Sequence, residues 1–354
     1  MAMSICGNEK EKGTIKGKRK NVFLPDDILF DIFKRLPDDF LRYRASYVCR
    51  QWLDLISNRI LVDRASLILQ QARNLRARHV DISEAGEDQG LQVKVQALDI
   101  PHIGTIRSWV NELLLMSTND KGKKRSLYVY NLITNEGSYL PECNACCGGY
   151  CTLKCGVALS FDVFKGTYKV VHLFTGPPVE CHILILRKDI VSSKWKEMKV
   201  PCMNGGWLLT CNPVSVQGRY IHWKVFRDKR LVSMDMVKEE IVDMSVPLHG
   251  AIFEMDGSLA LFAGVGESKT EIWILKDFQK NKWEKLQSVS LDKWHYRRFP
   301  VCGVTSNKYM IIVECKYYKG MCYYNLKNGI VKKLDIQINI DDGCTVRSFI
   351  TTTF

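Results

Sequence analysis

The chain has 354 residues, of which 46% are hydrophobic and 25% are charged, and these proportions are those of an ordinary globular protein. No stretch reaches the roughly 18 consecutive apolar residues of a membrane helix, and the N-terminus lacks a signal-peptide core, so we expect neither membrane insertion nor secretion. The formal net charge of +13 would favour acidic or phosphorylated partners over basic ones, and the alternative is a basic surface that serves solubility alone. We expect a protein of the nucleus, the cytoplasm or both, whose 14 cysteines are mostly small core residues.

The first segment is basic. Residues 1–20 are rich in lysine, glycine and glutamate and have no apolar periodicity, which predicts a disordered basic tail. The run from Lys16 to Lys20 is compatible with a nuclear import signal and equally with a solubilising segment. Counting lysine and arginine against aspartate and glutamate leaves a net charge of +10 on residues 64–354.

Apolar residues of the next segment, residues 21–63, fall at helical spacing. A first helix from Pro25 to about Arg35 is predicted by an apolar stripe at Ile28, Leu29, Ile32, Phe33 and Leu36. A last helix is predicted by a second stripe at Val48, Trp52, Leu55 and Ile56, and a short middle helix by Leu41 and Ala45. Because three short helices bury only a small core, such a unit usually needs a partner.

These residues resemble, position by position, the F-box of eukaryotic F-box proteins. The resemblance implies that the module binds a Skp-family adaptor, which in turn holds a cullin and a RING subunit. It assigns adaptor contacts to Leu24, Pro25, Ile28, Leu29, Ile32, Phe33, Leu36, Leu41, Val48, Cys49 and Trp52. The alternative for any one of them, and above all for Trp52 and the neighbouring Leu55, is a role in the internal core only.

The remainder of the chain indicates a linker followed by many strands. Residues 64–79 predict a linker helix, apolar at one end and basic at the other. From residue 80 onward, short apolar or alternating runs are separated by polar turns, as in antiparallel sheets. Five segments repeat the order strand, turn, strand, and they begin at residues 126, 182, 230, 271 and 321. This spacing is close to the roughly 40–50 residues of a propeller blade, and four strands per period predict an all-β propeller of about six blades, with five or seven as alternatives.

Two features are expected to hold this propeller together. Trp195 and Trp283 recur at the same place after the turn of a repeat, and we expect them to pack between blades. The C-terminal segment CTVRSFITTTF predicts a strand that closes the ring beside residues 91–100.

Residues 100–340 resemble the F-box-associated domain of large plant F-box families, a kelch-like propeller. The resemblance rests on motifs such as SFDVFKGTYKVV, QGRYIHW and EIWILKD, whereas the double-glycine kelch signature is absent. The expected fold class is an α+β multidomain chain. Its parts are a disordered basic tail (1–20), a three-helix F-box (21–63), a linker helix (64–79) and a propeller-like recognition domain (80–354).

Few residues suggest chemistry. The densest group of potential metal ligands is the cluster of Cys143, Cys146, Cys147, Cys151 and Cys155. One pair in it has zinc-binding spacing, but the second pair follows after too few residues for a zinc ribbon, so we expect an unliganded loop. The seven histidines are widely separated, and His222, in a predicted strand, is expected to pack rather than catalyse. No catalytic residue, metal or cofactor is predicted.

The first hypothesis for function is a non-catalytic substrate receptor of a Skp/cullin/F-box (SCF) ubiquitin ligase, which holds a protein target near a charged ubiquitin-conjugating enzyme. The alternative is a basic scaffold or nucleic-acid-associated propeller with a vestigial F-box, although no nucleic-acid-binding pattern accompanies the charge and a protein partner is favoured. Trp207, Tyr296, Arg297 and Arg298 are candidate target contacts by residue type, and a structural role for them is equally open.

Overall fold

In the computed structural model, the chain is an all-β propeller preceded by a short helical segment. The described residues are 24–36, 41, 45, 48–56, 64–70, 75–84, 91–101, 104–110, 113–118, 126–132, 134–143, 155–162, 165, 167–176, 179–186, 194–200, 209, 213–216, 218–255, 257–265, 269–290, 301–305, 309–314, 320–326, 328–334 and 349–352. Within these residues no helix has the length and apolar character that a membrane crossing requires.

Two helices are described in the N-terminal segment, α1 (Asp26–Phe33) and α2 (Arg50–Leu55). The carbonyl of Pro25 accepts the first helical bond of α1, 3.1 Å from the amide nitrogen of Leu29, and two aspartates in the first turn complement the helix dipole. The predicted first and last helices are therefore confirmed, although α1 starts one residue later and ends two residues earlier than expected. Most residues of the predicted middle helix lie outside the described ones. Leu41, which is described, is helical.

The described strands number twenty-four, and they form six four-stranded antiparallel sheets, here called blades 1 to 6. Blade 1 consists of β24 (Phe349–Thr352), β1 (Arg64–Gln70), β2 (Ala77–Glu84) and β3 (Leu91–Leu98). Blade 2 consists of β4 (Gly104–Val110), β5 (Leu113–Thr118), β6 (Leu127–Asn131) and β7 (Gly137–Tyr139). Blade 3 consists of β8 (Cys155–Asp162), β9 (Thr167–Phe174), β10 (Glu180–Leu186) and β11 (Lys196–Met198).

The other three blades repeat the same up-and-down order. Blade 4 consists of β12 (Val214–Val216), β13 (Tyr220–Lys224), β14 (Arg230–Asp235) and β15 (Glu240–Ser245). Blade 5 consists of β16 (Gly250–Met255), β17 (Ser258–Val265), β18 (Lys269–Asp277) and β19 (Lys282–Ser290). Blade 6 consists of β20 (Val301–Thr305), β21 (Tyr309–Glu314), β22 (Gly320–Asn325) and β23 (Val331–Leu334). This number of sheets falls within the range of five to seven expected from the repeat spacing.

The first strand of each blade lies at the centre of a ring. Strand β4 contacts β8, β8 contacts blade 4 through β13, β12 contacts β16, β16 contacts β20, and β20 contacts β24, which contacts β4. This series of contacts ends at β4, the strand from which it began, so the blades form a closed ring, as in a propeller. The hydrophobic core lies between neighbouring blades, as in the cluster where Leu115 and Val129 of blade 2 meet Val157 and Leu184 of blade 3.

The linker helix predicted for residues 64–79 is wrong, because residues 64–70 and 77–79 belong to β1 and β2. Strand β1 has neighbours on both sides, β24 and β2, and both Ile68 and Leu69 are buried although they point to opposite faces. A strand that is covered on both faces has apolar residues at consecutive positions, and such a run cannot be told from a helix by periodicity. The propeller therefore begins at residue 64 rather than at residue 80.

The expected closing strand is present, but its neighbour differs from the one predicted. Strand β24 pairs with β1, from Ala65 opposite Thr352 to Ile68 opposite Phe349. Residues 91–98 form β3 at the far edge of the same blade, two strands away from β24. A strand that closes the ring must occupy the innermost position, whereas β3 is the outermost strand of its blade.

The five repeated segments contain the third and fourth strands of blades 2 to 6. In the four turns that are described, an aspartate or asparagine ends the third strand and its side-chain oxygen accepts a bond from the backbone N–H three residues later. The oxygen-to-nitrogen distances are 3.1 Å at Asn131, 3.1 Å at Asp235, 3.1 Å at Asp277 and 3.2 Å at Asn325. The next residue has positive φ, which explains why three of these positions hold asparagine or glycine: Asn135, Glu239, Asn281 and Gly329.

The two recurring tryptophans link neighbouring blades, as predicted. Nε1 of Trp195 in blade 3 donates to the carbonyl of Pro141, which follows the last strand of blade 2, at 2.8 Å. Nε1 of Trp283 in β19 donates to the carbonyl of Ser245, the last residue of β15, at 3.1 Å. Each indole thus fixes the outer strand of one blade to the outer strand of the preceding blade.

A buried lysine links blades 3 and 4. Nζ of Lys169 lies 3.4 Å from Asp162 Oδ2 and 3.3 Å from Glu239 Oε1, and it donates to the carbonyl of Met236 at 3.2 Å. Nζ of Lys196 lies 2.7 Å from the other carboxylate oxygen of Glu239. The charge of Lys169 is thereby compensated in an almost fully buried position.

We predict that Trp195→Phe and Trp283→Phe each lower the free energy of unfolding by about 1 kcal/mol, because each removes one hydrogen bond between blades and keeps an aromatic ring. The two effects should add in the double variant, since the bonds lie at different blade junctions. Chemical denaturation of the full chain measures both quantities. Variants as stable as the wild type would contradict the proposed links.

Glu239 gives a prediction on pH. Partial burial raises the pKa of its carboxyl, but hydrogen bonds and charge from Lys196 and Lys169 outweigh burial, so the pKa lies below its ordinary value. The stabilisation is then complete above the ordinary pKa and is lost as the pH falls through the lower pKa of the folded state. Glu239→Gln should cost about 1–2 kcal/mol at neutral pH and almost nothing in strong acid. The exposed Glu197 provides the control: Glu197→Gln should leave stability unchanged at both pH values, and a pH-independent effect of Glu239→Gln would disprove this account.

Candidate functional site

Helix α1 carries a row of apolar side chains that point into solvent. Ile28 and Ile32 are 48% and 41% exposed, and their spacing of four residues places them on one helix face. Leu24, two residues before the helix, is 41% exposed. Val48, just before α2, is 61% exposed, and Pro25 and Cys49 are exposed as well. We call these six residues the exposed apolar set.

The opposite side of the same segment forms a compact core. Its buried members are Leu29, Phe33, Leu41, Ala45, Leu55 and Ile56, with the half-buried Leu36 and Trp52 packed against them. The rings of Phe33 and Trp52 meet edge to face with centroids 4.8 Å apart. Nε2 of Gln51 donates to Asp26 Oδ1 at 2.7 Å and joins α2 to the start of α1. The core is therefore complete without the exposed apolar set.

The eleven predicted adaptor contacts thus divide into two groups. Six of them are the exposed apolar set, whereas the other five lie in the core or against it: Leu29, Phe33, Leu36, Leu41 and Trp52. Leu55 lies in this core and Trp52 packs against it, which are the positions that the alternative of a core role requires. Exposed apolar side chains beside a finished core indicate an interaction surface rather than a site of bond chemistry.

The cysteine cluster is described only at its ends. Sγ of Cys143 lies 3.3 Å from Nδ1 of the buried His172, and burial, with a further contribution from Cys143, raises the pKa of the nearby Cys181 to about 12. A thiol with so high a pKa stays protonated and packs as a small apolar group. Cys155 begins β8, and Cys146, Cys147 and Cys151 lie outside the described residues. Within the part of the chain that is described, no three histidine, cysteine or acidic side chains are grouped for a metal ion.

His222 is a packing residue, as predicted. It is buried in β13, and burial lowers its pKa to about 3, so the imidazole is neutral at physiological pH. Its Nδ1 lies 2.7 Å from Oγ of Ser233 in the neighbouring strand. The four candidate target contacts, Trp207, Tyr296, Arg297 and Arg298, lie outside the described residues.

The sequence interpretation missed one exposed feature of the propeller, the turn between β13 and β14. Phe226 is 46% exposed there, and the guanidinium carbon of Arg227 lies 5.1 Å from the centroid of its ring. The sequence contains a signal for this feature, because the turn has the sequence FRDK, with a phenylalanine at a position where a polar residue or glycine is usual.

Comparison with known proteins agrees with this division into helices and propeller. The family model for an F-box associated beta propeller domain matches residues 72–353, and the model for an F-box-like domain matches residues 22–67. The chain belongs to the F-box-associated β-propeller family. Both resemblances noted in the sequence are thereby confirmed for this F-box protein.

Relatives of this F-box protein occur in Arabidopsis thaliana. An F-box/kelch-repeat protein is 25% identical over 338 residues, which cover 82% of this chain and 76% of the relative. Another F-box protein is 23% identical over 365 residues, which cover 89% and 86%. Among solved structures, the β-propeller domain of Cps50 (Swd1) from Myceliophteria thermophila is similar with a TM-score of 0.45 at 11% identity, over 80% of this chain and 90% of that one.

The two groups of F-box residues should respond differently to substitution. Phe33→Ala removes a buried ring and should cost about 3–5 kcal/mol, which is comparable to the whole stability of so small a core. Ile28→Ser changes a side chain that is about half exposed and lies outside the core, and it should leave the helices folded. Amide hydrogen exchange of residues 24–56 in the full chain measures this, with faster exchange expected for Phe33→Ala alone. Equal protection in the two variants would contradict the assignment of core and surface.

Proposed function

We propose that this F-box protein is the substrate receptor of an SCF ubiquitin ligase, in which the F-box binds a Skp-family adaptor and the propeller binds a protein target. The observation that supports this most strongly is the exposed apolar set, which stands beside a core that is already complete. The adaptor carries the cullin and the RING subunit, so the chain itself performs no bond chemistry. Its contribution is to raise the effective concentration of the target near the charged ubiquitin-conjugating enzyme.

Docking on the adaptor would bury side chains that now face water. Complete burial of one exposed valine, leucine or isoleucine is favourable by about 1.5–3 kcal/mol. Because the aliphatic side chains of the set are roughly half exposed, burying each of them on the adaptor would contribute about half of that free energy. Ile28 and Ile32 would insert from α1, and Leu24 from just before it. Val48 and Cys49, just before α2, would contact the adaptor as well. The buried Leu29 and Phe33 act indirectly, because they hold α1 against α2.

Charged residues beside the apolar row would favour a particular orientation. Asp27 and Asp31 are exposed on α1 and lie one position before Ile28 and Ile32. Carboxylates at the rim of an apolar contact steer association and penalise wrong partners more than they add affinity. A complementary adaptor surface therefore combines an apolar groove with lysine or arginine at its border.

Co-purification of the full-length chain with a Skp-family adaptor tests the proposal. The double variant Ile28→Asp and Ile32→Asp places two charges in the apolar row and should weaken adaptor binding at least about tenfold. The matched control is Val237→Asp with Ile330→Asp, which changes two exposed apolar residues in propeller turns and should bind the adaptor like the wild type. A folded wild-type protein that binds no such adaptor, or a helix variant that binds unchanged, would exclude this function.

A further inference from the structure

We propose that the turn between β13 and β14 in blade 4 is a principal contact of the propeller with its target, and that it recognises an acidic segment carrying a large apolar side chain. The turn comprises residues 225–229 and is called the blade-4 tip. This inference deepens the proposed receptor function and rests on it for the biological role of the contact. The contact itself can be tested without the ligase.

The blade-4 tip exposes an aromatic ring and a cation together. Among the aromatic side chains whose burial the structure describes, Phe226 and Tyr139 are the exposed ones. Tyr139 packs edge-on against Tyr128, with ring centroids 5.0 Å apart, whereas the ring of Phe226 lies under the guanidinium of Arg227. Aromatic rings and arginine are the side chains that contribute most to protein interfaces.

Arg227 occupies a backbone conformation that disfavours its side chain. Its φ is 57°, in the left-handed region where glycine or asparagine is usual and other residues are strained. Gly218 and Gly257, in the other turns of blades 4 and 5, meet the same requirement with glycine. Arginine at this position is unfavourable for the stability of the turn, which is consistent with a role of its side chain in binding rather than in folding.

Hydrogen bonds at the base of the blade-4 tip hold its backbone in place. The amide of Val225 donates to the carbonyl of Arg230 at 3.0 Å, and the amide of Val246 donates to the carbonyl of Lys229 at 2.9 Å. Nζ of the buried Lys224 donates to the carbonyl of Asp228 at 2.8 Å. A contact that is already ordered loses little conformational entropy on binding, so its burial contributes more fully to affinity.

Charge at the tip indicates the kind of partner. Arg227 and Lys229 are exposed and form no ion pair with any described residue, whereas Arg230 is paired with Asp243 at the base of the turn. Asp228 is half-buried, and its Oδ1 accepts the amide of Lys229 at 2.6 Å. Two cations beside an exposed ring are complementary to a peptide that carries carboxylates next to an aliphatic or aromatic residue.

The blade-4 tip lies on the face of the propeller opposite to the face at which the chain enters from the F-box. The chain enters the propeller at Arg64, the first residue of β1, which is the second strand of blade 1. The tip follows the last residue of β13, the second strand of blade 4. Every blade of a propeller repeats the same up-and-down strand order around the ring, so second strands run in the same direction from blade to blade. A target at the tip is therefore separated from the adaptor by the height of the propeller.

The test uses the full-length chain, alone and with a Skp-family adaptor, and two probes, a displayed library of random dodecapeptides and a single-stranded oligothymidylate. We expect the selected peptides to be acidic and to contain a large apolar residue. The best peptide, made synthetically, should lose at least about tenfold in affinity with Phe226→Ser and with Arg227→Gly, and binding should weaken as salt is added. Val237→Ser, on the opposite edge, is the control and should bind like the wild type.

Stability and adaptor binding distinguish the possible failures. Arg227→Gly relieves the strained backbone, so its melting temperature should equal or exceed that of the wild type, and both tip variants should retain the adaptor. No selected peptide, peptides without acidic residues, equal binding by the tip variants, or binding of the oligonucleotide in place of peptides would each overturn the inference. If the wild type binds no Skp-family adaptor, the receptor function is refuted, whereas the result on peptide binding by the tip still stands.

Discussion

Strand β1 is paired on both sides, with β2 and with the C-terminal strand β24, and this double pairing closes the propeller. Without β24, the innermost position of blade 1 would be empty and the ring of contacts from β4 to β20 would have an open end. The same strand receives the chain from the F-box, since only residues 57–63 separate Ile56 from Arg64. A connection of this length spans at most about 25–30 Å, so it keeps the adaptor-binding helices near blade 1.

Within the F-box, the structure separates residues that make the fold from residues that face outward. The sequence places Ile28 and Leu29 in one stripe, yet Leu29 is buried and Ile28 is about half exposed. A helix stripe wide enough for both positions can serve two surfaces, one inside the module and one against a partner. Periodicity finds the stripe but cannot divide it, because the division depends on where α2 packs.

The propeller was largely predictable from its turns. The repeats were recognised from their order of strand, polar turn and strand, which is a local signal. In the structure the turns at Asn131, Asp277 and Asn325 share one side-chain hydrogen bond to the backbone. The exception was β1, whose consecutive buried residues depend on two strands far away in sequence. The blade-4 tip had a local signal, a phenylalanine within a short turn, but the exposure of Phe226 is a property of the assembled surface. The unliganded loop expected for the cysteine segment and the target contacts expected for Trp207 and Tyr296 stay predictions.

The central claim is that the exposed apolar set is covered by an adaptor while the propeller stays free for a target. Amide hydrogen exchange of the full-length chain, measured with and without a Skp-family adaptor, tests this most directly. We expect slower exchange in residues 24–33 and 48–56 on adding the adaptor, and no change in blades 2 to 6. Unchanged exchange in the helices, or protection confined to the propeller, would contradict it.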